Sequence, residues 1–191
     1  MKASTAAILC LSAFVGAAGL QAQAVDPPEI HNPTFANVFS TGTLAKFSLG
    51  LLYDQATGAV PRWGAGAAGF RKRAEWRMAA LLSRTGAEYG VAHLRETDPT
   101  YQRCHCKGFL PRSRHAIVSE FVERRVDGGL AAPLARFTGI AASVGVTAFA
   151  QHSGVEDTGV HGMLVVGTDV GFNLLQEFGP EIKRTLLLRH K

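Results

Sequence analysis

Hydrophobic and polar positions recur with helical spacing along most of the chain. The pattern predicts helices over about 35–55, 68–96, 114–125, 132–151 and 156–178, with a short C-terminal helix after a break at Gly179-Pro180. No stretch of alternating apolar and polar residues is long enough to indicate a sheet, so β structure is at most minor. The predicted fold is therefore mainly α, a compact bundle of about five to six helices.

Small residues recur at intervals of four in the predicted helices, which places each series on one helix face. Such rows let neighbouring helix backbones approach closely, and we expect them to form the helix contacts, either in a soluble bundle or in or on a bilayer. The rows are Gly86 and Gly90; Gly139, Ser143 and Thr147; and Gly167 and Gly171.

The last long helix is amphipathic when its residues are placed at about 100° per residue. Its polar stripe is most simply a solvent-facing surface, and a binding or transport role for Asp169 and Asn173 would require that face to be buried. The apolar arc contains Leu164, Gly167, Gly171, Leu174, Leu175 and Phe178, and the opposite side contains Asp169, Asn173, Gln176 and Glu177.

The first 24 residues have the three parts of a cleavable secretion signal. Lys2 precedes an apolar run over residues 6–20, and Ala22-Gln23-Ala24 is a small-x-small cleavage pattern. The run is shorter than the roughly 20 residues of a spanning helix, although an uncleaved anchor is the alternative. Residues 25–34 hold three prolines and are predicted to be an extended leader, and residues 35–191 a single helical domain. We therefore expect an exported protein of the periplasm or cell envelope.

Composition and charge narrow the partners only modestly. The chain is 47% hydrophobic and 18% charged, with a formal net charge of +5, which becomes about +4 when Lys2 is removed. This charge suits anionic lipid or other anionic envelope components, and it is equally ordinary for a soluble protein without such a partner. No nucleic-acid module is recognisable. A basic surface is predicted from Arg71, Lys72, Arg73, Arg112 and Arg114, with Trp63 and Tyr101 as anchors.

Cys104-His105-Cys106 is the most conspicuous triplet. In an exported chain the expected state of two cysteines is oxidised, but a bond across one residue closes a cramped ring and would be reducible. A strained or free thiol pair and a disulfide to a partner are both open. A metal site made by Cys104, His105 and Cys106 is disfavoured, because structural zinc sites space their cysteines by at least two residues.

Four residues could carry acid–base chemistry near the loop that follows the second long helix. These catalytic candidates are Glu96, Asp98, His105 and His115. Turn formation by Asp98 before proline and a helix end at Glu96 explain the acids equally well. No nucleophile elbow, zinc-protease motif, phosphate loop or dinucleotide loop accompanies them, and no cofactor is expected.

Five segments in a fixed order resemble a group of exported helical proteins known mainly from acidobacterial genomes, which have no established activity. The segments are PRWGAGAAGFRKR, DPTY, RSRHAIVSEFVERRVDGG, RFTGIAA and EFGPEIKR, between Trp63 and Arg184. The chain departs from the group at the CHC triplet and at Gly179. The resemblance implies no functional residue.

The sequence thus favours a non-enzymatic helical protein of the cell envelope, structural, scaffolding or membrane-peripheral. A hydrolase with its site near residues 96–115 is the first alternative. A carrier of a small ligand or lipid inside the bundle is the second, and it would require an enclosed apolar cavity.

Overall fold

The structure is a computed structural model that describes residues 39–58, 60–152 and 154–189. The predicted secretion signal (residues 1–24), the predicted leader (residues 25–34) and residues 35–38 of the first predicted helix lie outside the described residues. Five α-helices are described, together with a 3-10 turn at Pro61–Trp63. The helices are α1 (Thr41–Thr57), α2 (Gly66–Arg95), α3 (Phe109–Val118), α4 (Leu134–Gln151) and α5 (Val155–Arg189). The predicted mainly helical, compact bundle is confirmed.

Three short strands form a small antiparallel sheet beside the helices. The order is β1 (Thr97–Asp98), β2 (Glu123–Arg125) and β3 (Leu130–Ala131), with Thr97 opposite Arg125 and Glu123 opposite Ala131. The expectation of minor β structure is therefore confirmed. The predicted helix over 114–125 is wrong in its second half, because the chain turns after Val118 and pairs as β2.

The helix break predicted at Gly179-Pro180 is also wrong, since α5 continues through Pro180 to Arg189. Proline removes one backbone donor and normally kinks a helix. Here Arg112 forms ion pairs with Glu177 at 3.5 Å, before the Gly-Pro pair, and with Glu181 at 2.5 Å, directly after it. Arg112 thus joins the two halves of the helix across the proline.

Close helix packing through glycine is confirmed at one of the predicted rows. A Cβ atom at Gly139 of α4 would lie 2.8 Å from the Cβ atom of Glu88 and 2.9 Å from the carbonyl oxygen of Arg84, both on α2. By contrast, a Cβ atom at any glycine of the other two rows would meet nothing within 4 Å, so these rows face open space. Those glycines are Gly86, Gly90, Gly167 and Gly171.

The predicted solvent-facing stripe of α5 is wrong at three of its four residues, while the fourth, Gln176, is exposed as expected. Asp169, Asn173 and Glu177 are buried, whereas Leu164 and Leu175 are 64% and 56% exposed. The bundle therefore encloses charged side chains and turns large apolar side chains outward. Among the described helices, none combines the length and apolarity needed to cross a bilayer.

Candidate functional site

The polar interior contains a group of charged side chains centred on Asp169, which we call the Asp169 cluster. Lys46 of α1 binds one carboxylate oxygen of Asp169 at 2.7 Å, and Arg84 of α2 binds the other at 2.5 Å. Arg84 also pairs with Glu88 at 3.6 Å, one helical turn along α2. The cluster consists of Lys46, Arg84, Glu88 and Asp169, and it joins α1, α2 and α5 in the middle of the fold.

The pKa values of Asp169 and Glu88, the two acids of this cluster, are shifted in opposite directions. Burial acts to raise the pKa of Asp169, but the positive charges of Arg84 and Lys46 outweigh it and hold that pKa below its usual value. At Glu88 burial dominates over the attraction of Arg84, and the pKa is raised. Asp169 is therefore held as an anion more firmly than an ordinary aspartate, whereas Glu88 holds its proton more firmly than an ordinary glutamate.

A second group, the Glu120 cluster, consists of Glu120, Arg136 and Asn173 and lies beside the first. Asn173 of α5 donates to a carboxylate oxygen of Glu120 at 3.2 Å, and Arg136 of α4 lies 3.7 Å from the same oxygen. Arg136 also donates to the carbonyl oxygens of Pro99, at 2.5 Å, and Ser119. Arg136, Asn173 and Glu120 are each at least nine-tenths buried. This cluster fastens the segment after α3 to α4 and α5.

The other oxygen of Glu120 is buried without a hydrogen-bond partner. Burial raises the pKa of Glu120, against the attraction of Arg136, and the negative charge of Asp169 raises it further. A buried carboxyl group with one unpartnered oxygen and a raised pKa is suited to hold a proton. Glu120 is thus the candidate proton-holding group of the interior.

Glu123 has a structural role close to this cluster. Its carboxylate accepts a 2.8 Å hydrogen bond from the backbone N–H of Arg136, in the first turn of α4, and a 3.2 Å bond from the hydroxyl of Thr97. A carboxylate at this position satisfies an otherwise unpaired amide and favours the positive end of the helix dipole. Glu123 therefore connects the small sheet to the start of α4.

The third polar group, the Glu177 cluster, lies at the loop between β1 and α3. One oxygen of Glu177 accepts a 2.5 Å bond from the hydroxyl of Tyr101 and a 2.6 Å bond from the backbone N–H of Cys104. Arg112 pairs with the other oxygen. Burial acts to raise the pKa of Glu177, but these three donors outweigh it and lower the pKa. Burial and the bond to Glu177 raise the pKa of Tyr101. Tyr101 is thus anchored through its hydroxyl.

The four predicted catalytic residues each have their own surroundings. Glu96 is exposed at the end of α2 in a left-handed conformation, with φ 53°, and His105 is exposed. Asp98 accepts hydrogen bonds from the backbone N–H and the hydroxyl of Thr100, which is the predicted turn chemistry. The ring of His115 bonds to the carbonyl oxygen of Gln102 at 2.9 Å. These contacts serve local structure and give no support to a shared acid–base site.

Cys104 and Cys106 form a disulfide, with their Cα atoms 5.2 Å apart. In this oxidised form the two sulfurs have no thiolate to offer the metal site considered for Cys104, His105 and Cys106. Among the described residues no group of three or more His, Cys, Asp or Glu side chains is arranged to hold a metal ion.

The predicted basic surface is correct only in part. Arg71, Lys72 and Arg114 are exposed. Arg73 is buried and donates to Gln55 and to the carbonyl oxygen of Gly64, both at 3.0 Å, so it fastens α1 to the turn before α2. Arg112 is occupied by Glu177 and Glu181.

A hollow of about 200 Å³ lies between the end of α4 and the start of α5, partly open to solvent. Its lining mixes polar side chains, such as Gln151 and His161, with apolar ones, such as Val144 and Leu164. Ligand pockets commonly span about 300–1,000 Å³ and enclose their ligand. This hollow does not support the carrier alternative.

The interior charges were visible in the sequence only as the stripe Asp169, Asn173 and Glu177, with an orientation that rotation alone could not decide. Arg84, Glu120 and Arg136 gave no motif, because the charged partners that they meet on other elements are 16 to 85 residues away. Glu88 and Arg84 are one helical turn apart and form an ordinary pair along one helix. No protein-family model matches this chain, and neither a curated protein nor a solved structure matches it. The resemblance to the exported group stays a prediction.

Proposed function

We propose that this chain is a membrane-peripheral helical protein of the cell envelope, which binds an anionic lipid surface through the start of α3. The binding surface, which we call the α3 tip, consists of Lys107, Phe109, Leu110, Arg114 and Ile117. The observation that carries the proposal is the exposure of Phe109 and Leu110, 72% and 79%, beside exposed cations.

The helix presents these side chains in a regular way. Leu110, Arg114 and Ile117 follow one another at intervals of four and three residues, which places them on one face of α3. Phe109 lies against the ring of Phe178 with 5.2 Å between ring centroids, so α5 supports the tip from behind. A rigid apolar edge of this kind can enter the boundary between head groups and acyl chains.

The charge of the segment favours an anionic partner. No acidic residue occurs between Asp98 and Glu120, and the exposed cations of this interval are Arg103, Lys107 and Arg114, since Arg112 is paired with Glu177 and Glu181. Basic residues near an anionic membrane surface contribute about 1 kcal/mol each. A disulfide between Cys104 and Cys106 agrees with an oxidising compartment, which supports the export part of the proposal.

Vesicle co-sedimentation tests the proposal directly. The purified chain is mixed with vesicles of equimolar phosphatidylglycerol and phosphatidylcholine, or of phosphatidylcholine alone. We expect binding to the anionic vesicles only, with release at about 0.5 M NaCl, where surface charges are screened. The Phe109→Ser/Leu110→Ser and Lys107→Glu/Arg114→Glu variants should each lose this binding.

Leu94→Ser is the matched control, because Leu94 lies at the end of α2 and is, among the described residues, the most exposed of the large apolar side chains. It should bind vesicles as the unaltered chain does. Equal binding to neutral vesicles, or undiminished binding by the α3 tip variants, would overturn the proposal. Circular dichroism of every variant verifies that the helices are intact.

A scaffolding role is the second candidate, favoured by the outward apolar row of α5. Val160, Met163, Leu164 and Leu175 are exposed, and Gly167 and Gly171 between them face open space. Another helix could approach closely there. Analytical ultracentrifugation compares the chain with Gly167→Leu/Gly171→Leu. A larger species that the two leucines abolish supports scaffolding, and a monomer in both excludes self-assembly through this row.

A further inference from the structure

The Cys104–Cys106 bond lies in the loop between β1 and α3, where both cysteines are half-buried and His105 between them is exposed. Disulfides stabilise proteins chiefly by linking segments that are distant along the chain, and the effect grows with the size of the closed loop. This bond spans a single intervening residue. It therefore contributes little as a structural link, and its presence needs another explanation.

The loop is held in place without the disulfide. Glu177 accepts the backbone N–H of Cys104 at 2.6 Å and is itself fixed by Tyr101 and Arg112. Arg103 donates in addition to the carbonyl oxygen of Glu177 at 3.4 Å. Opening the S–S bond would leave these contacts intact. The two sulfurs can thus change oxidation state while the surrounding backbone stays where it is.

The surroundings also favour a thiolate at Cys104. The backbone N–H of Cys106 donates to Sγ of Cys104 at 3.1 Å, so this sulfur has a donor already directed at it. Arg103 and Lys107 flank the triplet, one beside each cysteine, and a carboxylate oxygen of Glu177 accepts the backbone N–H of Cys104 and is an opposing negative charge. Hydrogen-bond donors and positive charges stabilise a thiolate relative to the thiol. Since each cysteine has one flanking cation, the N–H donor directed at Sγ is what makes Cys104 the better leaving sulfur of the pair.

We propose that Cys104 and Cys106 are a redox-active pair that exchanges its disulfide with a dithiol partner. A partner thiolate attacks Sγ of Cys106, the Cys104–Cys106 bond breaks, and Cys104 leaves as a thiolate. The second partner thiolate then attacks the partner sulfur of the mixed disulfide and releases Cys106. The partner dithiol is oxidised to a disulfide by loss of two electrons, the pair is reduced, and the two partner protons go to Cys104 and Cys106.

Glutathione equilibration tests the exchange in the full chain carrying Cys10→Ser, which leaves only these two cysteines. The chain is incubated with mixtures of reduced and oxidised glutathione, free thiols are trapped with a maleimide, and the mass gives the number of trapped thiols. We expect the number of trapped thiols to rise from none to two before reduced glutathione reaches a hundredfold excess over oxidised glutathione. A bond that stays oxidised in a hundredfold excess of reduced over oxidised glutathione would overturn the proposal.

Two single variants distinguish the roles of the sulfurs. Cys106→Ser leaves the Cys104 thiol, whose alkylation by iodoacetamide should reach half its maximal rate below the ordinary thiol pKa of about 8.5. The matched Cys104→Ser variant should require a higher pH. If the alkylation rates of the two variants depended on pH in the same way, Cys104 would not be the better leaving sulfur.

This inference is independent of lipid binding. The Cys104→Ser/Cys106→Ser variant, which cannot exchange, should still sediment with anionic vesicles. The Phe109→Ser/Leu110→Ser variant should still exchange with glutathione, so failure of one proposal leaves the other to be judged by its own measurement.

Discussion

Arg84 and Asp169 form an ion pair of 2.5 Å between the middle of α2 and the middle of α5. Lys46 of α1 forms a second ion pair with the Asp169 carboxylate, which is buried. Buried ion pairs contribute little net stability compared with apolar packing, yet removal of one partner leaves an uncompensated charge. The pair therefore fixes how three helices meet more than it adds to the free energy of unfolding.

We expect Asp169→Asn to lower the free energy of unfolding by about 3 kcal/mol, because Arg84 and Lys46 then remain without their counter-ion. Urea unfolding followed by circular dichroism measures the loss. Asp157→Asn is the control, since Asp157 lies on the same helix and is exposed; it should change stability by no more than about 0.5 kcal/mol. A loss at Asp169 no larger than that of the control would show that the pair does not hold the helices.

Glu120 gives the stability a dependence on pH. Because its pKa is raised by burial, the folded chain keeps this proton at a pH where the unfolded chain has lost it. The free energy of unfolding should therefore fall as the pH rises from the ordinary carboxyl value towards the raised one. Glu120→Gln removes this contribution, so the variant should gain relative to the unaltered chain as the pH rises above the ordinary carboxyl value of about 4.3.

The measurement is urea unfolding of both chains at several pH values, with Glu75→Gln as the exposed-carboxyl control. Asp169 acts in the opposite sense: since its pKa is lowered, its contribution is present above the ordinary carboxyl value and is lost as the pH falls. A stability difference between Glu120→Gln and the unaltered chain that does not change with pH would contradict the assignment.

Two glycine-to-alanine substitutions should change the free energy of unfolding in opposite directions. Gly139→Ala would place a methyl group 2.8 Å from the Cβ atom of Glu88, where backbone also blocks it, and should cost about 1–3 kcal/mol. Gly86→Ala meets nothing within 4 Å and should gain up to about 1 kcal/mol from helix propensity. Thermal unfolding of the two variants should shift in opposite directions. A gain at Gly139 would show that α2 and α4 do not approach as described.

The sequence was sufficient for the helical class and for the main helix limits, because these follow from local periodicity and from Asp98-Pro99 as a stop. The predicted 68–96 and 132–151 correspond to Gly66–Arg95 and Leu134–Gln151. The sequence was insufficient wherever a contact with a residue distant along the chain determines the local structure. Arg112 carries α5 across Pro180, and Glu123 is drawn from a predicted helix into a strand that leads to α4.

The same limit applies to the interior. Spacing alone groups Asp169, Asn173 and Glu177 on one face, but the direction of that face depends on Lys46, Arg84, Glu120 and Tyr101, which lie on other elements. Burial of charge is rare enough that solvent exposure was the simpler expectation.

Charged contacts inside and apolar side chains outside have a thermal consequence. Heat-capacity increments on unfolding arise from newly hydrated apolar groups, and newly hydrated polar groups oppose them. Here the opening of the bundle wets carboxylates and guanidinium groups, while residues such as Leu164 and Leu175 are already in contact with water. The curve of stability against temperature should therefore be flatter than is usual for a chain of 191 residues.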